Sequence, residues 1–319
     1  MRLYLLIVVV IGLAPPSQAQ ELRLFSVGAG DLYGGYYAAA QAICDVSNRA
    51  ERHRFRCSPE ATPGSVYNLV NLNRGQLDLA FAQSDWQEHA LKGTSVFAAF
   101  GPMKRLRTVM SLYPESFNLI ARREAHISGI RDLVGKRLDL GPPSSGRRST
   151  LRAVLDSFGV KPSDFRSVAE LPGSDAIDAL CAGKIDATVL ITGHPRGAIN
   201  RALSQCAAEL VPLAGPEIDH LIAGSPTYSR FVVPKSAYAS LDQPVPTFAV
   251  RATIVTMPTA DDDVIEAFVL NTLANLDRLG QAVPLLRSLD PKSMRSQGLR
   301  APLHPAAVRA FDKFLASSK

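Results

Sequence analysis

The stretch "NLNRGQLDLAFAQ" (71–83) recurs in pattern as "ALCAGKIDATVLI" (179–191). In both, a helical pattern is followed by a glycine, then by a Leu or Ile, an aspartate and a run of apolar residues. Glycine supplies the left-handed conformation that ends a helix, and the apolar run is typical of a parallel strand that is covered on both faces. We therefore expect Asp78 and Asp186 to bound strands in two α/β units of like topology, with chance similarity as the alternative.

A strand that ends in a glycine-rich turn precedes each copy of this pattern, in "LRLFSVGAGDLYGGYYAAAQAI" (22–43) and in "RLDLGPPSSGRRSTLRAVLDSFG" (137–159). The first turn is reminiscent of a dinucleotide site, but residue 33 is Tyr where that motif requires its third glycine. Ligands of parallel sheets bind beyond the carboxyl ends of the strands, where helix N-termini present free N–H groups. We expect the two units to face each other across an anion-binding cleft.

The first nineteen residues, "MRLYLLIVVVIGLAPPSQA", predict a cleaved signal peptide. The apolar run, Leu3 to Leu13, is shorter than the roughly 20 residues that span a bilayer, which argues against the alternative of a membrane anchor. Export would place the protein in the periplasm, an oxidising compartment in which disulfides form.

Four cysteines fit that compartment. Cys44 and Cys57, and likewise Cys181 and Cys206, are separated by one helix-to-strand link, so we expect each pair to form a disulfide. A metal site is the alternative, but no Cys-x-x-Cys or His-x-x-x-His spacing supports it. We expect neither a metal nor a cofactor.

The charge pattern and the histidines restrict the function classes. The chain has 35 Lys and Arg against 29 Asp and Glu, a net charge of +6 that is spread along the sequence, so a nucleic-acid partner is not expected. None of the six histidines stands in a metal spacing or beside a Gly-x-Ser-x-Gly elbow. We predict that the protein is not an enzyme, with a secreted hydrolase using the serines of "SSGRRS" (144–149) as the alternative.

Seven loose motifs occur in one order along the chain. They are Gly28-Ala29-Gly30 followed by Gly34 to Tyr37, "EATPGSVYNL" (60–69), "GQLDLAFAQSD" (75–85), "LYPESFNLIARR" (112–123), "IRDLVGKRLDLGPPSSG" (130–146), "ITGHPRGAI" (191–199) and "LHPAAVRAF" (303–311). Because it has these motifs in this order, the chain resembles the TAXI family of solute-binding proteins, the extracytoplasmic receptors of one class of TRAP transporter.

That resemblance implies an α/β fold of the type II periplasmic-binding-protein kind, with two lobes joined by hinge strands. Lobe I would comprise 20–119 plus 250–319 and lobe II 120–249, with hinges in 117–123 and 247–257. The function it implies is capture of a small carboxylate, such as glutamate, 2-oxoglutarate or a dicarboxylate, by a monomer that delivers it to a TRAP permease. The alternative is a binding protein of an ABC importer or an accessory of a sensor kinase.

The turns of the two units provide the candidate ligand-binding residues. These are Gly28, Ala29, Gly30, Asp31, Tyr33, Gly64, Ser65, Gln83, Ser144, Ser145, Gly146, Arg147, Thr192 and His194. Arg147 begins a predicted helix, where a cation opposes the helix dipole unless an anion lies between them. Alternatively Arg147 and Arg148 are solvated surface charges, and His194 is a turn residue. Asp31 would face a ligand amine or pair with a nearby arginine, such as Arg148 or Arg196.

Overall fold

The computed structural model describes residues 22–317 of the 319-residue chain, so the predicted signal peptide lies outside the described residues. The strands are β1 (Arg23–Gly28), β2 (Phe55–Glu60), β3 (Leu79–Gln83), β4 (Arg107–Arg122), β5 (Arg137–Asp139), β6 (Ser167–Ala169), β7 (Ala187–Thr192), β8 (Ala208–Leu210), β9 (Ser229–Val233) and β10 (Val245–Thr256). The helices are α1 (Gly35–Ala50), α2 (Ser65–Asn73), α3 (Ser84–Lys92), α4 (Gly146–Ser157), α5 (Gly173–Cys181), α6 (Gly197–Gln205), α7 (Pro216–Ala223), α8 (Asp262–Leu273), α9 (Leu276–Ala282), α10 (Pro291–Ser296) and α11 (Pro305–Ser317).

The strands form one sheet with the order β2-β1-β3-β10-β4-β7-β5-β6, to which β8 adds on β4 and β9 on β10. At one end β1 runs parallel to β2 and β3, and at the other end β5 runs parallel to β6 and β7. The long strands β4 and β10 lie between these two sets and are antiparallel to each other. The two ends of the sheet therefore have the same topology, as the repeated sequence pattern predicts.

The repeated glycines and aspartates have the predicted structural roles. Gly75 and Gly183 have φ angles of +70° and +68°, in the left-handed region that terminates a helix. The Asp78 carboxylate accepts a hydrogen bond from the Ser26 N–H at 2.8 Å, and the Asp186 carboxylate accepts one from the Arg137 N–H at 2.8 Å. Each aspartate thus ties its strand to the central strand of its own parallel set.

The core is divided along β4 and β10. On β4, the side chains from Val109 to Tyr113 pack with β1, α1, α8 and α11, whereas Phe117, Leu119 and Ala121 pack with α4, β5 and β7. On β10, Ala252 and Ile254 belong to the first group and Phe248 to the second. We call the half that carries β1–β3 lobe I and the half that carries β5–β8 lobe II.

Both predicted disulfides are confirmed. Cys44 on α1 is bonded to Cys57 on β2, and Cys181 at the end of α5 is bonded to Cys206 after α6. The sequence separations are 13 and 25 residues. On the chain-entropy model, loops of this size contribute about 3 kcal/mol each to the free energy of unfolding. Within residues 22–317, no helix has the length and apolar content that a membrane span requires.

Candidate functional site in the cleft between the lobes

A cavity of about 920 Å³ lies between the lobes, beyond the carboxyl ends of the parallel strands. Lobe I lines it with the turns after β1 and β2, residues 30–36 and 61–65, and with Gln83 at the end of β3. Lobe II lines it with the turns after β5, β6 and β7, within residues 142–147, 172–175 and 190–201. The cavity occupies the position that parallel sheets use for ligands.

Five helices begin at the wall of this cavity, with first residues Gly35, Ser65, Gly146, Gly173 and Gly197. Four of them, α1, α2, α5 and α6, have no side-chain hydrogen bond at the N-cap, while Ser145 caps α4 by accepting from the Arg148 N–H at 3.1 Å. The first N–H groups of a helix lack intrahelical partners and lie at the positive end of its dipole. The wall is therefore suited to an anionic group.

Seven charged side chains line the wall, and four of them, Asp31, Glu115, Asp175 and Arg196, form no ion pair within residues 22–317. Arg201 pairs with Asp178, and both line the cavity. The Arg196 guanidinium donates to the Tyr33 carbonyl across the lobes and has no carboxylate within ion-pair distance among residues 22–317. Asp31 accepts a hydrogen bond from the Tyr33 N–H at 2.8 Å, which fixes the turn after β1. Arg196 is thus the cationic side chain that the wall leaves without a carboxylate partner.

The two lobes also meet through a buried hydrogen-bonded cluster beside the cavity, which we call the interlobe latch: Asp85 and Trp86 of α3 with Gly146 and Thr150 of α4. Trp86 Nε1 donates to the Gly146 carbonyl at 3.1 Å and to Thr150 Oγ1 at 3.0 Å, and Thr150 Oγ1 donates to Asp85 at 2.7 Å. Burial raises the pKa of Asp85 to about 7.

Gly146 makes the close approach of the lobes possible. A Cβ at this position would collide with the Gln83 side chain and with the Ser65 hydroxyl, which both belong to lobe I. In addition, the Tyr67 N–H of α2 donates to the Ser144 carbonyl at 3.0 Å. The described conformation therefore has the lobes in contact around the cavity.

Ten of the fourteen sequence-predicted residues line the cavity: Gly30, Asp31, Tyr33, Gly64, Ser65, Gln83, Ser145, Gly146, Arg147 and Thr192. The other four do not contribute to its wall. The carbonyls of Gly28 and Ala29 accept hydrogen bonds from the buried Asn68 amide at 3.1 and 2.7 Å, and Ser144 lies at the lobe contact. Ligand contact by any of the fourteen remains a prediction.

Arg147 lies at the wall, but its guanidinium is directed into lobe II. It lies 3.1 Å from the Asp139 carboxylate, donates to the Val189 carbonyl at 3.1 Å and donates to the Leu171 carbonyl. Asp139 is fully buried and the Arg147 side chain is 11% exposed. Burial lowers the pKa of Arg147, and Asp139 counteracts that effect. The alternative of a solvated surface charge is therefore wrong, and the geometry favours a structural ion pair.

His194 is held by the side chains of Ser116 on β4 and of Tyr238, which follows β9. Its Nε2 lies 2.6 Å from the Ser116 hydroxyl and its Nδ1 lies 2.7 Å from the Tyr238 hydroxyl. Burial lowers the pKa of His194 to about 4, so the imidazole is neutral at pH 7. This geometry favours the turn role. Arg148 is likewise engaged elsewhere, in an ion pair with Glu170.

Sequence reasoning missed the turn after β6, where Pro172, Gly173, Ser174 and Asp175 line the cavity. A signal for it exists, because "PGS" occurs at 63–65 and again at 172–174, before α2 and α5. The repeated sequence pattern at 71–83 and 179–191 thus extends upstream to the turns at 63–65 and 172–174. Glu115 and Tyr36 also line the cavity.

Two solved structures that align with TM-scores above 0.5 share this architecture. A protein of Bordetella bronchiseptica RB50 aligns with a TM-score of 0.58 and 14% identity over 92% of this chain and 98% of its own. A protein described as an L-cystine ABC transporter, from Listeria monocytogenes, aligns with a TM-score of 0.51 and 13% identity over 82% of this chain and 95% of its own. The periplasmic aliphatic sulphonate-binding protein SsuA of Escherichia coli aligns with a TM-score of 0.47 and 14% identity over 92% and 83%.

The fold is the two-lobed α/β fold of periplasmic substrate-binding proteins, as the sequence predicts. The family model that matches is described as NMT1-like and covers residues 27–313, which includes both lobes and both long strands between them. The chain belongs to the NMT1-like family.

Proposed function

We propose that this protein is a periplasmic solute-binding protein that captures a small anionic solute in the interlobe cavity. The observation that carries the proposal is the convergence of five helix N-termini on one cavity wall. Backbone N–H groups at helix N-termini bind carboxylate, sulfonate or phosphate oxygens without a specialised side chain. The cavity volume of about 920 Å³ is ample for a small organic acid.

Lobe closure is the proposed mode of capture. The hydrophobic core passes from lobe I to lobe II between Tyr113 and Phe117 on β4, a few residues before the predicted boundary at 119/120. It returns to lobe I between Phe248 and Ala252 on β10, which supports the boundary at 249/250 and a hinge within 247–257. A solute that contacts both walls would stabilise the closed form by the difference between its affinities for the closed and open forms. The Arg196 bond to the Tyr33 carbonyl belongs to that closed form.

The transporter that we propose is an ABC importer. The likeness to a protein described as an L-cystine ABC transporter supports this alternative better than it supports the TRAP permease that the seven motifs suggest. The two differ in energy source, because an ABC importer consumes ATP and a TRAP permease uses an ion gradient. Solute uptake into vesicles carrying the cognate permease would be driven by internal ATP in the first case and by an imposed sodium gradient in the second.

The binding proposal is tested by a thermal-shift screen of purified protein with carboxylates, sulfonates, phosphate, sugars and amines, alongside mass spectrometry of any co-purifying solute. We expect only anionic solutes to raise the melting temperature. Binding confined to sugars or to cations would refute the proposal. Turnover of an ester or phosphate panel, included as a control, would support the hydrolase alternative instead.

A further inference from the structure

A buried carboxyl group forms part of the cavity floor. Glu115 lies on β4 in the segment between the two lobes, lines the cavity and is only 3% exposed. One of its oxygens, Oε2, accepts a hydrogen bond from the Tyr36 hydroxyl at 2.5 Å. The other oxygen, Oε1, has no hydrogen-bond partner among residues 22–317. Glu115 therefore has an unused polar atom at a site where the proposed solute binds.

No cation neutralises Glu115 within the described part of the chain. Its ion-pair neighbourhood contains no Lys, Arg or His within 4 Å. The titratable and charged groups on the surrounding elements are Tyr36 from α1, Asp85 from α3, Tyr113 from β4, His194 and Arg196 after β7, and Arg251 from β10. Arg251 is directed away, toward Ser111 Oγ at 3.0 Å and the Leu112 carbonyl.

These surroundings determine the protonation state of Glu115. Burial, and to a smaller extent the negative charge of Asp85, raise the pKa of Glu115 to about 8, while the Tyr36 hydrogen bond acts in the opposite direction. At pH 7 the side chain is thus mainly a neutral carboxylic acid, with one proton to donate. Because Oε2 already accepts from Tyr36, the donor position is Oε1.

Two further polar atoms lie close to this floor without partners. The Tyr113 hydroxyl and Thr192 Oγ1 are buried and unpaired among residues 22–317. Both oxygens lie beside Gly35, the first residue of α1, because a Cβ added to Gly35 would be 3.4 Å from each of them. Tyr113 is 2% exposed, and Thr192, which lines the cavity, is 7% exposed. Buried polar atoms without partners are costly, which indicates that this end of the cavity is arranged for a polar group that is absent from the protein itself.

We propose that Glu115 donates a hydrogen bond from its carboxylic acid to an oxygen of the bound oxyanion, next to the N-terminus of α1, so that the solute binds only the protonated form of Glu115. This inference rests on the proposed function of the cavity. An ionised Glu115 would repel an oxyanion, whereas the neutral acid recognises it, so the residue selects for carboxylates or sulfonates over amines.

Proton-linked binding has a defined pH profile. If the solute binds only the protonated form, affinity is nearly constant below pH 7 and weakens by about ten-fold between pH 7 and pH 9, for a group whose pKa is about 8. Glu115→Gln keeps the shape and a donor N–H but cannot titrate, so its affinity should be independent of pH. Tyr36→Phe removes the hydroxyl that lowers the pKa of Glu115, so its loss of affinity should begin at a higher pH.

The test is titration calorimetry of wild type, Glu115→Gln and Tyr36→Phe with 2-oxoglutarate and with ethanesulfonate, at pH 6, 7, 8 and 9. The two probes distinguish a carboxylate from a sulfonate solute. A ten-fold loss in wild type that is absent in Glu115→Gln supports the proposal. A probe that binds wild type equally at all four pH values, or more tightly at pH 9, overturns it while leaving the proposed function intact.

Failure of the proposed function gives a different result. In that case neither probe binds wild type at any pH, and neither raises its melting temperature. Because Glu115→Gln alters the protein interior, its melting curve at pH 6 is recorded first. Should this variant not fold, Tyr36→Phe alone decides the matter, since an unchanged pH profile in that variant contradicts the role given to Glu115.

Discussion

Thr150 of lobe II donates a hydrogen bond from Oγ1 to the Asp85 carboxylate of lobe I at 2.7 Å, and both side chains are buried. The same hydroxyl accepts from Trp86 Nε1 at 3.0 Å and from the Gln83 amide at 3.3 Å. One threonine thereby satisfies three polar groups of the opposite lobe. This interlobe latch closes one side of the cavity without using any residue of the α1 or α6 N-termini.

Removal of the Thr150 hydroxyl should destabilise the closed form. Thr150→Val keeps the shape but leaves the Oδ2 atom of Asp85 without its donor, and an unsatisfied buried group of this kind costs about 1–3 kcal/mol. We expect a decrease of that size in the free energy of unfolding by urea, together with a larger radius of gyration in small-angle scattering. Thr150→Ser, which retains the hydroxyl, is the matched control. Equal behaviour of the two variants would contradict the latch.

Replacement of Arg147 should affect stability more than binding. Arg147→Met leaves the fully buried Asp139 carboxylate without its cation, and loss of one partner of a buried pair costs roughly 3–5 kcal/mol. Asp139→Asn in the same chain should recover part of this loss, because it removes the unpaired charge. The four proteins form a double-mutant cycle in urea unfolding. A small stability change with a large loss of solute affinity would instead assign the Arg147 charge to the ligand.

His194 should make the protein sensitive to acid over a defined interval. Its pKa is about 4 in the folded protein and near 6.5 in an unfolded chain, so between these values the unfolded chain binds a proton that the folded protein does not. Stability is therefore retained above pH 6.5 and falls by about 2–3 kcal/mol on acidification to pH 4.

The measurement is the pH dependence of unfolding free energy for wild type and His194→Gln between pH 7 and 4. Glutamine can hydrogen-bond to Ser116 and Tyr238 without titrating, so the variant should lose less stability over this interval. His220→Gln on the exposed face of α7 is the control and should follow wild type. A parallel decline in wild type and His194→Gln would contradict the assignment.

The topology of the sheet was predictable because its signals are local. Gly75 and Gly183 end helices, and Asp78 and Asp186 directly precede β3 and β7, in patterns only a few residues long. Both disulfides follow from the same units. The turn at Pro172 was equally accessible, since its "PGS" copies the turn at 63–65.

The partners of the charged residues were not predictable in the same way. Arg147 receives its carbonyl partners from Leu171 and Val189, which are 24 and 42 residues away. Thr150 and Trp86 are 64 residues apart and belong to different lobes. Such contacts depend on how two separately folded surfaces meet, and no local sequence pattern encodes that. The chemistry of Glu115 likewise depends on its burial and on the hydroxyl of Tyr36, which is 79 residues away.

Binding of an anion among the helix N-termini is tested most directly at Gly197, the first residue of α6. Gly197 lines the cavity, and a Cβ there would meet no atom within 4 Å. Gly197→Asp adds a negative charge that favours the helix by about 0.3–1 kcal/mol. If the negative group of the bound solute lies about 8 Å from the new carboxylate, their repulsion weakens binding by about 2 kcal/mol at an effective dielectric constant of about 20. That is enough for more than a ten-fold loss of affinity.

The measurement is the calorimetric affinity of wild type, Gly197→Asp and the isosteric, neutral Gly197→Asn for the anionic solute that raises the melting temperature most. We predict that Gly197→Asp binds at least ten-fold more weakly than Gly197→Asn while unfolding at the same or a higher temperature. Equal affinities of the two variants, or tighter binding by Gly197→Asp, would contradict an anion site in this cavity.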